Sequence, residues 1–310
     1  DEAVFGRAET LLDRSIALHA ATILPASFSP ERLRSVATRI VPGLGRVSQT
    51  LESVIARIID TRICAPHDEP SDLLDLLLAA GQDEQPLSRT EIQDEVMTLV
   101  LAGSLTTANA LTWALTLLAR YPAAHDRLIE EADGVLGSRD TQTPDVDALP
   151  WTQAVVSEAL RLYPPVWHVE RDAVQDDNIW GIPVSAGDTI GLSPYFLHRH
   201  PEFWPEPERF DPRRFLPDSA STRPSYAYLP FGGGRRICLG AGLAQMEATL
   251  VLAVLSQSVR VDLVPTAPPR ERGTVSLCPA GPVLATVTPV PSHQRSTAGC
   301  GMRSTAGPRD

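Results

Sequence analysis

The segment LPFGGGRRICLG, Leu229 to Gly240, sets one cysteine behind three glycines and two arginines, directly before an apolar helical stretch. Cys238 then stands at a helix entrance, where unpaired backbone N–H groups and the positive end of the helix dipole stabilise a thiolate. Gly232, Gly233, Gly234 and Gly240 permit a tight turn and leave room for a large flat ligand against the backbone. Arg236 is placed to meet a carboxylate. A thiolate, a flat ligand and an acid group together meet the needs of heme ligation. Two rival readings fail on spacing: a dinucleotide fingerprint needs glycine where Ile237 or Gln245 stands, and a phosphate-binding P-loop needs a Gly-Lys pair that is absent. A buried structural cysteine is the default for an isolated residue. Here the flanking pattern overturns that default.

The stretch that carries this cysteine into a helix, AGLAQMEATLVLAVLSQ, is apolar nearly all round and reads as a core helix. Upstream, residues 1 to 62 alternate helical stretches with Pro/Gly breaks, and SDLLDLLLAAG has Ser71 as N-cap and Gly81 as C-cap. Ser88 with Glu91 forms a capping-box pattern before the uncharged run Val96 to Ala119. That run is long enough to span a bilayer, but seven of its positions are Ser, Thr or Asn and charged segments adjoin both ends. It is therefore expected to be a helix buried in protein on every side, with no membrane span in this chain. DALPWTQAVVSEALRLYPP gives another helix, stopped by Pro164 and Pro165. Short strand patterns follow at HVERDAV, IPVSAGDTIGLSPYFLHR, VDLVP, TVSLCP and PVLATVTPV, around a long Pro- and Arg-rich loop, HPEFWPEPERFDPRRFLPD, expected to be functional or tightly packed. The fold class is mainly α with a minor β component. One domain over residues 1–291 is expected, followed by a small, polar, disordered tail over 292–310 that repeats RSTAG.

The 310 residues carry a net charge of −11, so nucleic acid is not expected as a partner. All 27 basic residues are arginine, a bias that points to GC-rich coding and a bacterial source. Cys64, Cys238, Cys278 and Cys300 lie far apart without a CxxC pair, so neither a disulfide framework nor a zinc site is indicated, and a cytoplasmic location fits. No secretory signal is visible at the start, DEAVFGRAET.

FGGGRRICLG carries FxxGxRxCxG from Phe231 through Gly234, Arg236 and Cys238 to Gly240, and so resembles the heme-binding loop of the cytochrome P-450 superfamily. Three further segments agree in order: AGSLTT, Ala102 to Thr107, resembles the AGxxT segment of the family's long central I helix; EALR, Glu158 to Arg161, resembles ExxR; PERF, Pro207 to Phe210, resembles the companion segment whose Arg209 completes a buried Glu–Arg–Arg cluster. Alone, ExxR would be a routine surface ion pair and AGSLTT mere packing relief in a buried helix.

The resemblance implies a bacterial-type heme-thiolate monooxygenase with heme b, Cys238 as the axial iron ligand and Arg236 and Arg171 on the heme acid groups. Phe231, Gly232, Gly240 and Ala244 would flank the same group. Ala102 and Gly103 would open the I helix to dioxygen, and Thr106 would deliver protons. Leu101, Ser104, Leu105, Val166, Trp167 and His168 would line a pocket for an apolar small molecule such as a terpenoid, fatty acid or polyketide-like compound, with His168 packing or hydrogen bonding rather than ligating iron. No flavin or nicotinamide motif is present, so electrons from NADPH or NADH are expected through a separate ferredoxin or flavodoxin and its reductase, steered by Arg235, Arg213 and Arg214 unless these only solubilise that face. A monomer is expected. Two departures stand out. Leu105 occupies the place of the family's usual acid before Thr106, which leaves a catalytically impaired heme protein or a peroxide-dependent peroxygenase as alternatives. The chain also begins near the middle helices of the fold, so it reads as lacking the N-terminal portion. A terpene-cyclising module would want Asp-rich magnesium motifs on helices, and DTQTPDVD lies in a Pro-broken loop.

Overall fold

Proline and capping residues punctuate the chain much as the sequence pattern predicts. The computed structural model describes residues 44–80, 86–217, 223–264 and 269–290; the expected helices before residue 44, the Gly81 cap and the 292–310 tail lie outside them. Helix α1 spans Leu44–Cys64 and α2 Leu73–Ala79. The 32-residue α3, Arg89–Arg120, starts at the expected capping box: Ser88 accepts from the Glu91 N–H while the Glu91 carboxylate accepts from the Ser88 N–H. Pro122 and Pro150 open α4, Pro122–Leu136, and α5, Pro150–Leu162, where a missing N–H costs nothing. A short α6, Pro194–Leu197, and the 18-residue α7, Ala241–Ser258, complete the helices described.

Among the described residues the β component is four antiparallel two-stranded pairs. Strand β1, Val169–Asp172, pairs with β4, Thr189–Leu192, setting Arg171 opposite Ile190. Strands β2, Asp177–Ile179, and β3, Ile182–Val184, form a tight hairpin whose two linking residues, Trp180 and Gly181, both have positive φ, at 50° and 88°. Strand β5, Val259–Leu263, pairs with β8, Ala285–Pro289, and β6, Glu271–Gly273, with β7, Leu277–Pro279. The sequence pattern anticipates β1, β3, β4, β5, β7 and β8; β2 and β6 are polar three-residue strands made by pairing, not by hydrophobicity.

The core lies where α3, α4, α5 and α7 meet, through Ala114, Leu117 and Leu118, Leu128, Val155 and Ala159, and Ala248 and Leu252. Trp113 of α3 stacks on Tyr163 at the end of α5, ring centroids 4.0 Å apart, and its indole N–H donates to the Leu277 carbonyl at 3.1 Å. The long Pro/Arg loop is packed, with Trp204 and Phe210 buried.

Three expectations need correction. Helix α3 is not enclosed on every side: it is long and apolar enough to cross a bilayer, yet only 17% of its most apolar 18 residues is buried. Its C-terminal half enters the core, while Ala102, Gly103, Ser104 and Ala108 are exposed. Helix α7 likewise buries one face only, through Ala248, Thr249, Leu252, Ala253 and Ser256. An even apolar composition reports average environment and cannot say which face meets protein. The α2 cap is Asp72, not Ser71, because Ser71 instead donates through its N–H and hydroxyl to the Asp75 carboxylate at 2.9 and 3.0 Å.

Leu252 is fully buried among all four core helices. Leu252→Ala is expected to cost about 3 kcal/mol through lost transfer energy and a residual cavity, read as a lower urea midpoint at unchanged m-value.

Candidate active site

Cys238 is exposed, and its backbone N–H donates to the Phe231 carbonyl at 2.9 Å, closing the loop on itself. Gly232 and Gly234 sit at φ 76° and 68°, a conformation that side chains resist, so these two glycines are what permit the turn. Gly233 serves differently from the sequence expectation: a Cβ there would meet the Tyr226 ring at 3.1 Å and Leu229 at 3.4 Å, so its missing side chain relieves packing. Helix α7 begins at Ala241 with Gly240 as N-cap and no side-chain cap, which leaves the positive helix end beside the sulfur. Large apolar side chains close to Cys238 in sequence are exposed: Leu239 is 91% exposed, Leu243 56% and Ile237 59%. Phe231 packs against the core cluster, while Arg235 and Arg236 are exposed and Ala244 is half-buried one turn into α7.

Buried bonds fix where this loop can lie. Glu158 and Arg161 of α5 are both 0% exposed and form a two-pronged ion pair, Arg161 Nε to Glu158 Oε2 at 2.7 Å and Nη2 to Oε1 at 2.8 Å. Desolvation pushes the Glu158 carboxyl up from its ordinary value, opposed by Arg161. Arg161 also donates to the backbone carbonyls of His198, Pro207 and Arg209 at 2.9, 2.7 and 3.1 Å. Buried His198 then reaches the cysteine loop: its Nδ1–H donates to the Arg161 carbonyl at 3.2 Å and its Nε2 accepts from the Leu229 N–H at 2.8 Å. That pattern requires a neutral ring, and burial lowers its pKa to about 4. Tyr228 donates to the Ser157 carbonyl at 2.8 Å, and Trp204 donates to the Ala227 carbonyl at 3.2 Å. Sequence reasoning missed His198 and Trp204, because a lone histidine and a lone tryptophan in a loop carry no spacing signal.

Other expected residues are placed as follows. Arg209 does not join Glu158: its side chain pairs with Glu206 at 2.9 Å near the surface. Arg214 takes that position, its Nε 3.4 Å from Glu158 Oε1, and it therefore leaves the surface patch expected with Arg235 and Arg213. Arg213 is itself paired with Asp211 at 2.7 Å. Both corrections have one cause: the carbonyls of residues 207 and 209 are held by Arg161, which turns the Arg209 side chain outward. Arg171 is exposed on β1, its side chain donating to the neighbouring Glu170 carbonyl at 2.7 Å. Val166 is exposed, but Trp167 is tied down, donating to the Thr274 carbonyl at 2.9 Å with its ring against Gly273. His168 lies over Gly191 of β4, a packing position. On α3, Leu101, Leu105 and Thr106 are half-buried and Ala102, Gly103 and Ser104 exposed. The helix runs unbroken through Gly103, contrary to an opened helix; what glycine contributes is space, since nothing lies within 4 Å of where a Cβ would be. The Thr106 hydroxyl donates to the Ala102 carbonyl at 2.7 Å.

A free thiol at an uncapped helix start, with exposed leucine and isoleucine beside a glycine turn, leaves room for a large, flat, mostly apolar group. The family model for cytochrome P450 matches residues 7–286. The chain belongs to the cytochrome P450 family. It is 43% identical over 235 residues to cyclooctatin synthase of Streptomyces melanosporofaciens, covering 75% of this chain and 51% of that protein. Pentalenene oxygenase of Streptomyces avermitilis is 41% identical over 197 residues, covering 63% and 44%. The P450 fold is equally plain in solved structures: retinoic-acid-bound cyanobacterial CYP120A1 superposes with a TM-score of 0.75 at 31% identity, covering 80% of this chain and 57% of that one. This P450 chain spans about half the length of the curated relatives it matches.

Two predictions follow from the buried network of this P450. Arg209→Ala should change stability by less than about 1 kcal/mol, as for exposed pairs, whereas Arg161→Ala should cost about 3–5 kcal/mol by stranding Glu158, both measured by denaturant unfolding. His198, neutral in the fold with a pKa near 4 against 6.5 ordinarily, contributes stability that is fully present above pH 6.5. As pH falls from 6.5 toward 4 the unfolded chain gains a proton that the fold refuses, removing about 3 kcal/mol in all. Buried His125, also shifted down by desolvation, acts in the same direction. His198→Gln should therefore flatten part of the stability loss between pH 6.5 and 4.5; an unchanged slope would refute the assignment.

Proposed function

We propose that this chain holds heme b through Cys238 and inserts one oxygen atom from dioxygen into a C–H bond of an apolar small molecule. The observation that carries this reading is the exposed Cys238 thiol at the uncapped start of α7, close in sequence to exposed apolar side chains and fixed from behind by buried bonds. When bound, heme with a thiolate ligand supplies dioxygen activation, the sulfur pushing electron density toward O–O cleavage. Cys238 binds and orients, helped by the free N–H groups at the start of α7. Arg236 and Arg171, both exposed, would hold the acid groups, and Phe231, Gly232, Gly240 and Ala244 would flank the flat faces. On α3, the exposed residues Ala102 and Gly103 would give a small molecule access to the helix backbone. Thr106 holds a proton on its hydroxyl and can release its bond to the Ala102 carbonyl to move that proton outward.

Leu101, Ser104, Leu105 and Val166 offer an apolar substrate surface, with Trp167 supporting it from the strand side. The names of two relatives, an oxygenase of pentalenene and a cyclooctatin synthase, support a terpenoid within the expected range of terpenoid, fatty acid or polyketide-like molecules. Electrons would come from NADPH or NADH through a separate reductase and a ferredoxin or flavodoxin. With Arg214 turned to Glu158 and Arg213 paired with Asp211, the docking charge reduces to Arg235. A monomer in a bacterial cytoplasm completes this reading.

A second reading rests on Leu105. No carboxylate precedes Thr106, and the Thr106 hydroxyl is already committed to the backbone. That favours a heme protein of impaired dioxygen chemistry, or one that takes peroxide as oxidant.

The reduced protein exposed to carbon monoxide should give a red-shifted Soret band that Cys238→Ala abolishes, and a polypeptide that stays colourless with hemin would end both readings. Product formed with peroxide but not with a surrogate ferredoxin system would select the second.

A further inference from the structure

Two aromatic side chains in the segment after α5 each rest on a glycine. The Trp167 ring lies against Gly273 of β6: a Cβ there would meet Trp167 Cε2 at 2.8 Å, Cζ2 at 2.9 Å and Nε1 at 3.3 Å. His168 lies against Gly191 of β4, its Nε2 2.8 Å from where a Cβ would be. The two contacts differ in kind. His168 is exposed and meets its glycine with the far end of the ring, so it can turn away. Trp167 is half-buried and meets Gly273 with the body of its indole, whose N–H donates to the Thr274 carbonyl at 2.9 Å. Gly273 is not at positive φ, so its backbone does not call for glycine, and a glycine weakens a strand. What it provides is a seat for the indole.

The backbone on both sides of this contact is pinned. Asn109 of α3 donates to the Ser276 hydroxyl at 3.0 Å, Trp113 of α3 donates to the Leu277 carbonyl at 3.1 Å, and the Leu277 N–H donates to the Pro165 carbonyl at 2.9 Å. Within the turn from β6 into β7, the Thr274 N–H and hydroxyl both donate to the Ser276 carbonyl, at 3.2 and 3.1 Å. On the other side, the Trp167 carbonyl accepts from the Ser193 hydroxyl at 2.7 Å. A larger residue at 273 would therefore be relieved by rotation of the Trp167 side chain, because a new rotamer costs less than several broken, partly buried hydrogen bonds.

We propose that Gly273 is a specificity-determining position: having no side chain, it keeps the Trp167 ring parked on β6 and off the apolar surface that Val166 and α3 offer to substrate. A methyl group at 273 would turn the ring toward the open side of the segment, where Val166 is 40% exposed. That would narrow the space for a bulky polycyclic molecule and leave room for a slender chain. Gly273 touches no substrate and acts through Trp167. The inference rests on the substrate surface proposed above, and it names bulk as the property that surface selects.

The first measurement needs no cofactor. Acrylamide quenching of the full 310-residue chain reads its five tryptophans, and the difference from Trp167→Leu, taken with and without Gly273→Ala, isolates Trp167. Gly273→Ala should make Trp167 easier to quench. The second measurement is the Soret shift of the hemin-loaded protein titrated with dodecanol or with the bicyclic diterpene sclareol. Gly273→Ala should weaken sclareol relative to dodecanol by about tenfold, and Gly273→Ala/Trp167→Leu should return to the ratio of Trp167→Leu. A merely structural defect would weaken both ligands alike and would not be rescued. Should Gly273→Ala fail to fold, the double variant against Trp167→Leu carries the test: with the indole gone, residue 273 should no longer move the ratio. Unchanged quenching, an unchanged ratio, or a ratio that still follows residue 273 without the indole would overturn the proposal. A chain that takes up no hemin would end the proposed function and this inference with it, a failure told apart by the quenching result.

Discussion

The ion pair between Glu158 and Arg161 is the constraint on which the rest of this structure depends. Two opposite charges fully removed from water are tolerable only when every oxygen and every N–H has a partner. Here the remaining donors of Arg161 reach three backbone carbonyls across the loop that follows α6, and Glu158 accepts the Asp211 N–H at 2.9 Å. A loop with little regular structure is thereby held at four points by two side chains of one helix turn. Its aromatic residues, Trp204 and Phe210, complete the packing.

This rigidity is exported to a loop that is otherwise unprotected. The cysteine loop and the first turn of α7 expose a thiol, an isoleucine and two leucines, an arrangement a folded protein sustains only if its backbone is fixed elsewhere. The fixing comes through His198 to Leu229, Tyr228 to Ser157 and Trp204 to Ala227, all on the segment just before the glycines. Helix α3 shows the same division: Trp113, Leu117 and Leu118 anchor its C-terminal half in the core while residues 102–104 remain open. In both places the stabilising contacts and the chemically useful groups lie on adjacent but separate stretches of chain.

The motif residues were legible because their types are dictated locally. Glycines at positive φ, a capping box, prolines at helix starts and an i, i+3 Glu–Arg pair each follow from backbone geometry within a few residues. Residues that work across long sequence separation were not. The family resemblance points to Arg209 as the partner of Glu158, but the place falls to Arg214 because the backbone at 207–209 is held by Arg161. Trp167 reads as a pocket residue by position, but its indole found the Thr274 carbonyl more than a hundred residues away. His198 had no pattern at all.

By itself the sequence determined the helical class, most strand positions, the cysteine loop with its glycine turn and the family to which the chain belongs, since those rest on local spacing and on torsional rules that hold in any context. Only the tertiary structure decided which arginine stands beside Glu158, which histidine ties down the cysteine loop and which faces of α3 and α7 stay open. These are outcomes of burial. The energy of a charge or an apolar face depends on what surrounds it in three dimensions, and the linear order of residues does not specify that until the chain has packed.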